Sequence, residues 1–389
     1  MPRNQNPEKG RQRREAMGKE PIWKLLFRFS GPAIISMTVA SSYNLIDAIF
    51  VGRLGAAPLA AMGVTFPLSL SFVAISSGTG VGVTSLIARS LGAKDNENAD
   101  RTASISITLG FLLSILILAV CLPILDGILR VLGAGGEVLP LARSYMSVII
   151  FFNIFAYLSM MFANIIRADG SPVFSSSVSI GAALLNIILD PVFIFGFGPA
   201  PAMGVQGAAV ATVISQAVGT AAFAIYIVTG RTGYKFKPNY FIPRVKIIAD
   251  IYRVGMASIV RSGAQFVVMG VINNTAASFG VVPLAVMGVL VRAGRFIQMP
   301  ILGLGQGTMP VIGYNYGANQ KLRVGEIIFK TAVSGSLWSV VCWLVIMFFP
   351  AHVMSVFSGQ SEFLTEGAQA IRLYSLAYFT IGLRMEQGF

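Results

Sequence analysis

The sequence has little charge and few of the side chains on which most enzymes depend. Charged residues make up 12% of its 389 residues, whereas a soluble domain has roughly 25%. With one histidine and two cysteines, the inventory argues against His-based acid–base catalysis, a disulfide framework or a zinc site. The glycine run 78–82 lacks the Lys-Ser/Thr ending of a phosphate-binding loop. We therefore expect no enzyme activity, no metal cofactor and no organic cofactor.

Apolar residues, in contrast, are abundant. They make up 55% of the chain and give it a mean hydropathy of +0.73. Because one soluble core cannot bury this much apolar surface, lipid must be the solvent for much of it. The apolar runs are long enough to cross ~30 Å of hydrocarbon as helices, and they lack the alternation of barrel strands. They predict ten spans, near residues 23–50, 59–88, 103–125, 140–166, 173–198, 205–229, 246–273, 282–311, 325–349 and 364–389.

The net charge of +13 is distributed around these spans rather than concentrated on one surface. Seven basic residues lie in the first 24 positions, and another cluster occupies 231–253. The loops that would share a side with the N-terminus are the more basic ones, which the positive-inside rule places in the cytoplasm. Residues 1–21 are thus predicted to be a disordered, basic cytoplasmic tail that sets the topology. Contact of this tail with anionic lipid or nucleic acid is the alternative.

An internal repeat organises the chain. The motif Pro58-Leu-Ala-Ala-Met-Gly-Val64 recurs as Pro283-Leu-Ala-Val-Met-Gly-Val289, and the same offset in position relates Gly92-Ala93 to Gly317-Ala318. Six predicted spans precede the repeat, so both copies should have one orientation and be related by an axis along the membrane normal. We expect an N-lobe over 22–229, an inter-lobe loop over 230–245 and a C-lobe over 246–389. The second copy is expected to be incomplete; a natural ten-span protein is the alternative.

Two aspartates fall inside predicted spans of the first half. Asp47 follows Tyr43 and Asn44 on its helix, and Asp190 follows Asn186 by one helical turn. Since a charge at mid-bilayer costs ~2.5–3.5 kcal/mol, intramembrane carboxylates are functional candidates. As a coupled pair they would be able to load and release H⁺. The alternative is a structural role, in which the asparagines satisfy both carboxylates.

Other polar residues of the spans are weaker candidates. Each either lines a cavity or joins helices: Asn153, Asn164, Gln206, Thr212, Arg261, Arg292 and Arg295. Two prolines are expected to bend helices. Pro32 follows a glycine in the first span, and Pro191 follows Asp190 directly and frees a backbone carbonyl that either ligates Na⁺ or marks a kink.

Taken in order, several of these segments resemble the multidrug and toxic compound extrusion (MATE) family, and most closely its DinF-like bacterial branch. The segments are Asn44–Gly52, Asn186–Pro191, Gly92-Ala93, Arg167–Gly170 and Pro310–Ala318, and the resemblance extends over nearly the whole chain from about residue 22. It implies an all-α membrane protein of two six-helix lobes in the bacterial inner membrane, with a cytoplasmic N-terminus. It also implies an antiporter that exports amphipathic, often cationic compounds against an inward flow of H⁺ or Na⁺.

For individual residues, the resemblance implies an ion-coupling site in the first lobe. Its members would be Asp47, Asp190, Asn186, Asn164 and Thr212, with Tyr43 beside them, and Na⁺ would bind at Asp47, Asp190 and Asn186. Pro32 would bend the first helix. Asn44, Asn153, Gln206, Arg261, Arg292 and Arg295 are candidate cavity-lining residues. Small drug-like substrates and membrane lipid are the expected partners, with no nucleic acid, and the protein is expected to be a monomer.

The second half departs from the NorM-like branch of the family, because its spans hold arginines where that branch uses carboxylates. Glu386 is the only deep carboxylate candidate there. This difference favours coupling in the first lobe alone. The runner-up function is a flippase for lipid-linked oligosaccharide or peptidoglycan precursors. A channel and a membrane-embedded enzyme are the alternatives from other classes.

Overall fold

The structure, a computed structural model, describes residues 7–197, 201–278, 281–355 and 361–376. The regular secondary structure in these ranges is helical, which confirms the predicted all-α fold. The helices are α1 (Pro7–Lys19), α2 (Ile22–Gly52), α3 (Ala56–Gly92), α4 (Asn96–Cys121), α5 (Leu125–Val131), α6 (Val138–Phe151), α7 (Asn153–Ala168), α8 (Pro172–Phe195), α9 (Val205–Val228), α10 (Val245–Ser278), α11 (Val281–Gly317), α12 (Lys321–Phe348), α13 (Pro350–Ser355) and α14 (Ser361–Ser375), with a 3₁₀ turn at Pro238–Tyr240.

Six helices in the described ranges are long and apolar enough to cross a membrane, namely α2, α3, α4, α8, α9 and α12. The bent pair α6–α7 makes a seventh if it is counted as one span. Helices α10, α11 and α14 begin where the seventh, eighth and tenth spans were predicted. Residues 377–389, which include Glu386, lie outside the described part of the chain.

The predicted fourth span is not one straight helix. It breaks at Phe152, and the axes of α6 and α7 differ by 48°. No proline or glycine lies at the break, but the side chain of Asn153 occupies it. The Nδ2 of Asn153 donates to the carbonyl oxygens of Ile150 at 2.7 Å and of Ser114, on α4, at 3.3 Å. A side-chain amide that competes for backbone carbonyls is an established cause of such bends. Asn153 therefore joins helices rather than lining a cavity.

The predicted disorder of the N-terminal tail is wrong for residues 7–19, which form α1. Hydropathy failed here because this helix is short and strongly polar, with Met17 as the one fully buried apolar side chain among those described. Met17 packs against Val311 and Ile327 of the C-lobe. Tertiary contacts of this kind, rather than intrinsic propensity, stabilise a 13-residue helix.

The two lobes meet where glycines of one lobe pack closely against the backbone of the other. Helix α2 packs against α11, and α3 packs against α10 and α11. A Cβ placed on Gly92 would lie 1.9 Å from the carbonyl oxygen of Tyr314, and one placed on Gly317 would lie 1.9 Å from that of Arg89. Tyr314 is the counterpart of Arg89 under the same offset that relates the two glycines. The two contacts are thus equivalent under the repeat, as the predicted two-fold axis requires.

All these contacts lie on one side of the bundle. Gly92 ends α3 and Gly317 ends α11, and both helices end on the side where α2 and α10 begin. Further along, a Cβ on Gly78 would meet Ile259 and one on Gly303 would meet Ile34, again a pair related by the repeat. The lobes are therefore closed against each other on the side that carries α1, which we call the N-terminal side.

We predict that Gly317→Ala destabilises the protein strongly, because the new methyl group would overlap a backbone carbonyl that α3 cannot move without separating the lobes. Gly325→Ala is the matched control, since a Cβ there meets nothing within 4 Å on the exposed face of α12. It should stabilise the protein by about 0.5–1 kcal/mol through helix propensity. Thermal unfolding in detergent measures both. A transition of Gly317→Ala that matches the parent protein would contradict the close packing.

Candidate functional site

The far ends of four N-lobe helices bring a group of polar side chains together. Asp47 and Asp190 each lie five residues before the end of their helices, α2 and α8, which run in the same direction and pack against each other. Thr212 lies seven residues after the start of α9, at a corresponding depth. The site therefore lies towards the side opposite to α1, within helices rather than loops.

Asp190 has the partner that its sequence spacing predicts. The Nδ2 of Asn186 donates to Oδ1 of Asp190 at 3.0 Å and lies 3.4 Å from Oγ1 of Thr212. Asp190 is fully buried, and Asn186 is 2% exposed. Helix α8 continues through Pro191 without interruption, so both side chains remain on the same face. These three predicted residues form one hydrogen-bonded group.

Asp47 lies close enough to this group for its charge to interact with that of Asp190. It is buried, with 4% of its surface exposed. The amide partner predicted for it, Asn44, has a side chain that lies outside the described part, so that prediction stays open. Within one lobe, then, two buried carboxylates lie on the packed helices α2 and α8, within range of each other's charge. Such a pair holds two negative charges only at a high cost, unless a cation binds between them.

The donors of the site do not match its acceptors. Among the described residues no hydrogen-bond donor reaches Oδ1 of Asp47, Oδ2 of Asp190 or Oδ1 of Asn186, although all three oxygens are buried. Buried acceptors in proteins almost always have a partner. Carboxylate and amide oxygens are also the ligand types that hard cations prefer. The arrangement is thus suited to take up a proton or a small cation such as Na⁺.

Tyr145 belongs to the same site, and the sequence analysis missed it. It lies on α6, seven residues after the helix start, and interacts electrostatically with Asp47, Tyr43 and Asp190. Its ring packs on the apolar cluster that contains Val51 and Val205. In the sequence it therefore cannot be distinguished from an aromatic residue of the core. Tyr43, a predicted member, therefore lies near Tyr145 as well. Only the packing of α6 against the other helices reveals this tyrosine.

Asn164 does not belong to the site, contrary to what the resemblance implied. It lies four residues before the end of α7, whereas Asp190 lies near the far end of α8, the helix that follows and runs back in the opposite direction. At 1.5 Å rise per residue the two are separated by about 20 Å along the helix axes. The Oδ1 of Asn164 instead accepts hydrogen bonds from Thr84 at 3.0 Å and Arg167 at 3.2 Å.

Arg167, which follows the predicted fourth span directly, is buried at the end of α7. Its Nη1 donates to Oε1 of Gln306, on α11, at 2.6 Å. The guanidinium therefore connects the two lobes near the N-terminal side. No carboxylate of the described residues pairs with it. It thus contributes to closure of the lobes.

The remaining candidates are dispersed. Gln206 and Arg261 are exposed on α9 and α10. The side chains of Arg292 and Arg295 lie outside the described part of the chain, so their role in lining a cavity is untested. Pro32 lies inside α2, which continues through it without a break, next to the point where Gly303 of α11 approaches Ala33 and Ile34.

The family model MatE matches residues 32–192 and 255–385. The multidrug export protein MepA of Staphylococcus aureus (strain MSSA476) is 30% identical over 349 residues, which cover 88% of this chain and 75% of that protein.

Solved structures agree with the fold. A crystal structure of MATE in the bent conformation matches with a TM-score of 0.89 and 29% identity, over 97% of this chain and 84% of that one. An outward-facing conformation of a multidrug resistance MATE family transporter of the MOP superfamily matches with a TM-score of 0.86 and 29% identity, over 96% and 84% of the two chains.

Proposed function

Because this chain belongs to the MATE family of transporters, we propose that it is a multidrug efflux antiporter that exchanges H⁺ or Na⁺ for its substrates by alternating access. It is a membrane transporter and not an enzyme. The substrates that we propose are amphipathic, often cationic compounds of drug size, in keeping with the name of the MepA relative. We further propose that it acts as a monomer in the bacterial inner membrane.

The observation that supports ion coupling most directly is the excess of buried acceptors around Asp47 and Asp190. With both carboxylates charged and no cation bound, their oxygens repel each other in a medium of low dielectric. A proton or Na⁺ removes that repulsion and draws α2 and α8 together. Ion binding thus acts on the relative positions of two helices, one of which, α2, also contacts the C-lobe through α11.

The position of this site relative to the closed contacts supports alternating access. The carboxylates lie towards the far side, whereas the glycine contacts close the N-terminal side. We infer that the far side is extracellular, since the basic segments 9–24 and 231–253 lie on the N-terminal side, as cytoplasmic segments do. In this conformation an ion from outside would reach Asp47 and Asp190 before the lobes rearrange.

The test is drug efflux from vesicles that contain the purified protein, with a pH gradient and a sodium gradient imposed separately. A tenfold gradient of one ion supplies about 1.4 kcal/mol per ion, and 100 mV supplies about 2.3 kcal/mol more when charge moves. We expect one of the two gradients to drive accumulation of a cationic dye, and its collapse by an ionophore to stop it. The active gradient identifies the coupling ion.

Protein-free vesicles provide the background, and vesicles with Asp126→Asn provide a protein control. Asp126 is a partly exposed aspartate on α5 that pairs with Arg143 at 3.0 Å, outside the site. Antiport would be contradicted if neither gradient moved the dye in vesicles whose protein is shown to be folded.

A further inference from the structure

Helix α1 touches both lobes at the N-terminal side. Its middle, at Arg13 and Arg14, lies on the N-lobe and its last turn lies on the C-lobe, across the contact between α3 and α11. An exposed topology signal would need none of these contacts. The position is that of a strap across the closed side.

The contacts with the N-lobe are ionic and buried. Arg14 donates through Nε and Nη2 to Oδ1 of Asp169, at 2.8 and 2.6 Å, and the Asp169 side chain is fully buried. The Arg14 guanidinium also lies 4.8 Å from the ring centre of Tyr234, in the loop between the lobes. Arg13 adds hydrogen bonds to Ser171 and, at 3.1 Å, to the hydroxyl of Tyr226.

The contacts with the C-lobe are of a different kind, because they involve backbone carbonyls and an aromatic ring and, among the described residues, no ion pair. Asn315, at the end of α11, donates to the carbonyl oxygen of Met17 at 2.9 Å. A Cβ placed on Gly18 would lie 2.9 Å from the Tyr314 ring, so the two surfaces touch closely. Arg323 of α12 donates to the carbonyl oxygen of Glu20, just after α1.

We propose that α1 is a strap that keeps the lobes closed on the N-terminal side and that leaves the C-lobe, while staying on the N-lobe, whenever that side opens. This inference rests on the proposed alternating access. The direction of release follows from the two sets of contacts. Separating Arg14 from Asp169 would leave an uncompensated charge in a buried place. The C-lobe contacts, which are hydrogen bonds from Asn315 and Arg323 to backbone carbonyls and the apolar packing of Met17, break at a lower cost because they separate no buried ion pair. Helix α1 also continues directly into α2 of the N-lobe.

The test measures how often the closed side opens. Ser30 is 2% exposed on α2, and its hydroxyl donates to the carbonyl of Leu304 across the lobe contact at 3.2 Å. In a background with Cys121 and Cys342 replaced by alanine, Ser30→Cys should react with a small maleimide only when the lobes separate. Ser114→Cys is the matched reporter for unfolding, because Ser114 is equally buried, at 3%, but inside the N-lobe.

Two variants loosen the strap, one at each lobe. Arg14→Gln removes the ionic contact and Asn315→Ala removes the neutral one. For each we expect the labelling of Ser30→Cys in detergent to accelerate by about fivefold or more, a typical size for coupling between two conformational states. Lys19→Gln is the matched control: it removes one positive charge from α1, but its described ion pair is with Glu15 on the same helix.

The strap proposal would be overturned if Ser30→Cys were labelled no faster in Arg14→Gln and Asn315→Ala than in Lys19→Gln. It would also be overturned if Ser114→Cys accelerated equally with Ser30→Cys in Asn315→Ala, since this would show unfolding of the lobe. Labelling needs neither drug nor ion gradient. A failure of the proposed antiport would therefore leave the accelerated labelling in place, and a failure of the strap would leave the gradient-driven efflux in place.

Discussion

Replacement of Asp190 by asparagine is expected to abolish drug efflux while leaving the protein as stable as before, or more so. Asn retains the size of the side chain and the capacity for one hydrogen bond to Asn186, which now contacts Asp190 at 3.0 Å. It removes the charge that interacts with Asp47 and with it the ability to bind and release a cation. The expected rate is that of protein-free vesicles, and Asp47→Asn should behave in the same way.

The stability measurement separates the two roles that the sequence left open. If the aspartates were structural, replacing Asp190 would disturb a satisfied hydrogen-bond network, and the unfolding temperature in detergent would fall. If they form a coupling pair, the amide relieves repulsion between buried charges, so the unfolding temperature is unchanged or higher. Asp126→Asn, the same chemical change at a partly exposed carboxylate outside the site, should affect neither quantity. Undiminished efflux by well-folded Asp190→Asn protein would exclude the proposed coupling role.

Local spacing explains which parts of this site were predictable. Asn186 and Asp190 are four residues apart on one helix, and neighbours at that spacing share a face whatever the tertiary structure. Tyr145 carries no such signal, because it comes from a different helix and its depth depends on how α6 packs. Asn164 was misplaced for the same reason. Its spacing is consistent with an intramembrane role, but the direction of α7 puts it near the N-terminal side.

The fold was predictable to a similar degree. Hydropathy located the six helices of the described ranges that are long and apolar enough to cross a membrane. The constant offset between the two copies of the repeat predicted a two-fold relation that the contacts of Gly92 and Gly317 bear out. The bend at Phe152 was not predictable, since it depends on where the side chain of Asn153 points. Helix α1 was missed because its stability comes from contacts with distant residues such as Asp169 and Asn315. Hydropathy measures the preference of a segment for lipid over water, and contacts between distant residues do not contribute to it.

Because the lobes are closed on the N-terminal side, a disulfide that joins them there is expected to stop transport. The Cβ of Ala88, on α3, lies 2.8 Å from a Cβ placed on Gly313, on α11. Cysteines at these positions have to move apart slightly to reach the usual Cβ–Cβ distance of about 3.8 Å in a disulfide. In the background without Cys121 and Cys342, we expect oxidation of Ala88→Cys/Gly313→Cys to stop efflux completely, because the lobes can no longer separate on this side. Reduction should restore it.

A second pair with the same residue types provides the control. Ala182 and Gly219 lie on α8 and α9 of the N-lobe, and the Cβ of the alanine is 3.3 Å from one placed on the glycine. Oxidised Ala182→Cys/Gly219→Cys should retain efflux, because its disulfide joins helices within one lobe, which move together when the lobes separate. Loss of efflux in the first pair alone would show that separation on the N-terminal side is an obligatory step. Full efflux by protein whose Ala88→Cys/Gly313→Cys disulfide is verified by mass would contradict alternating access between these lobes.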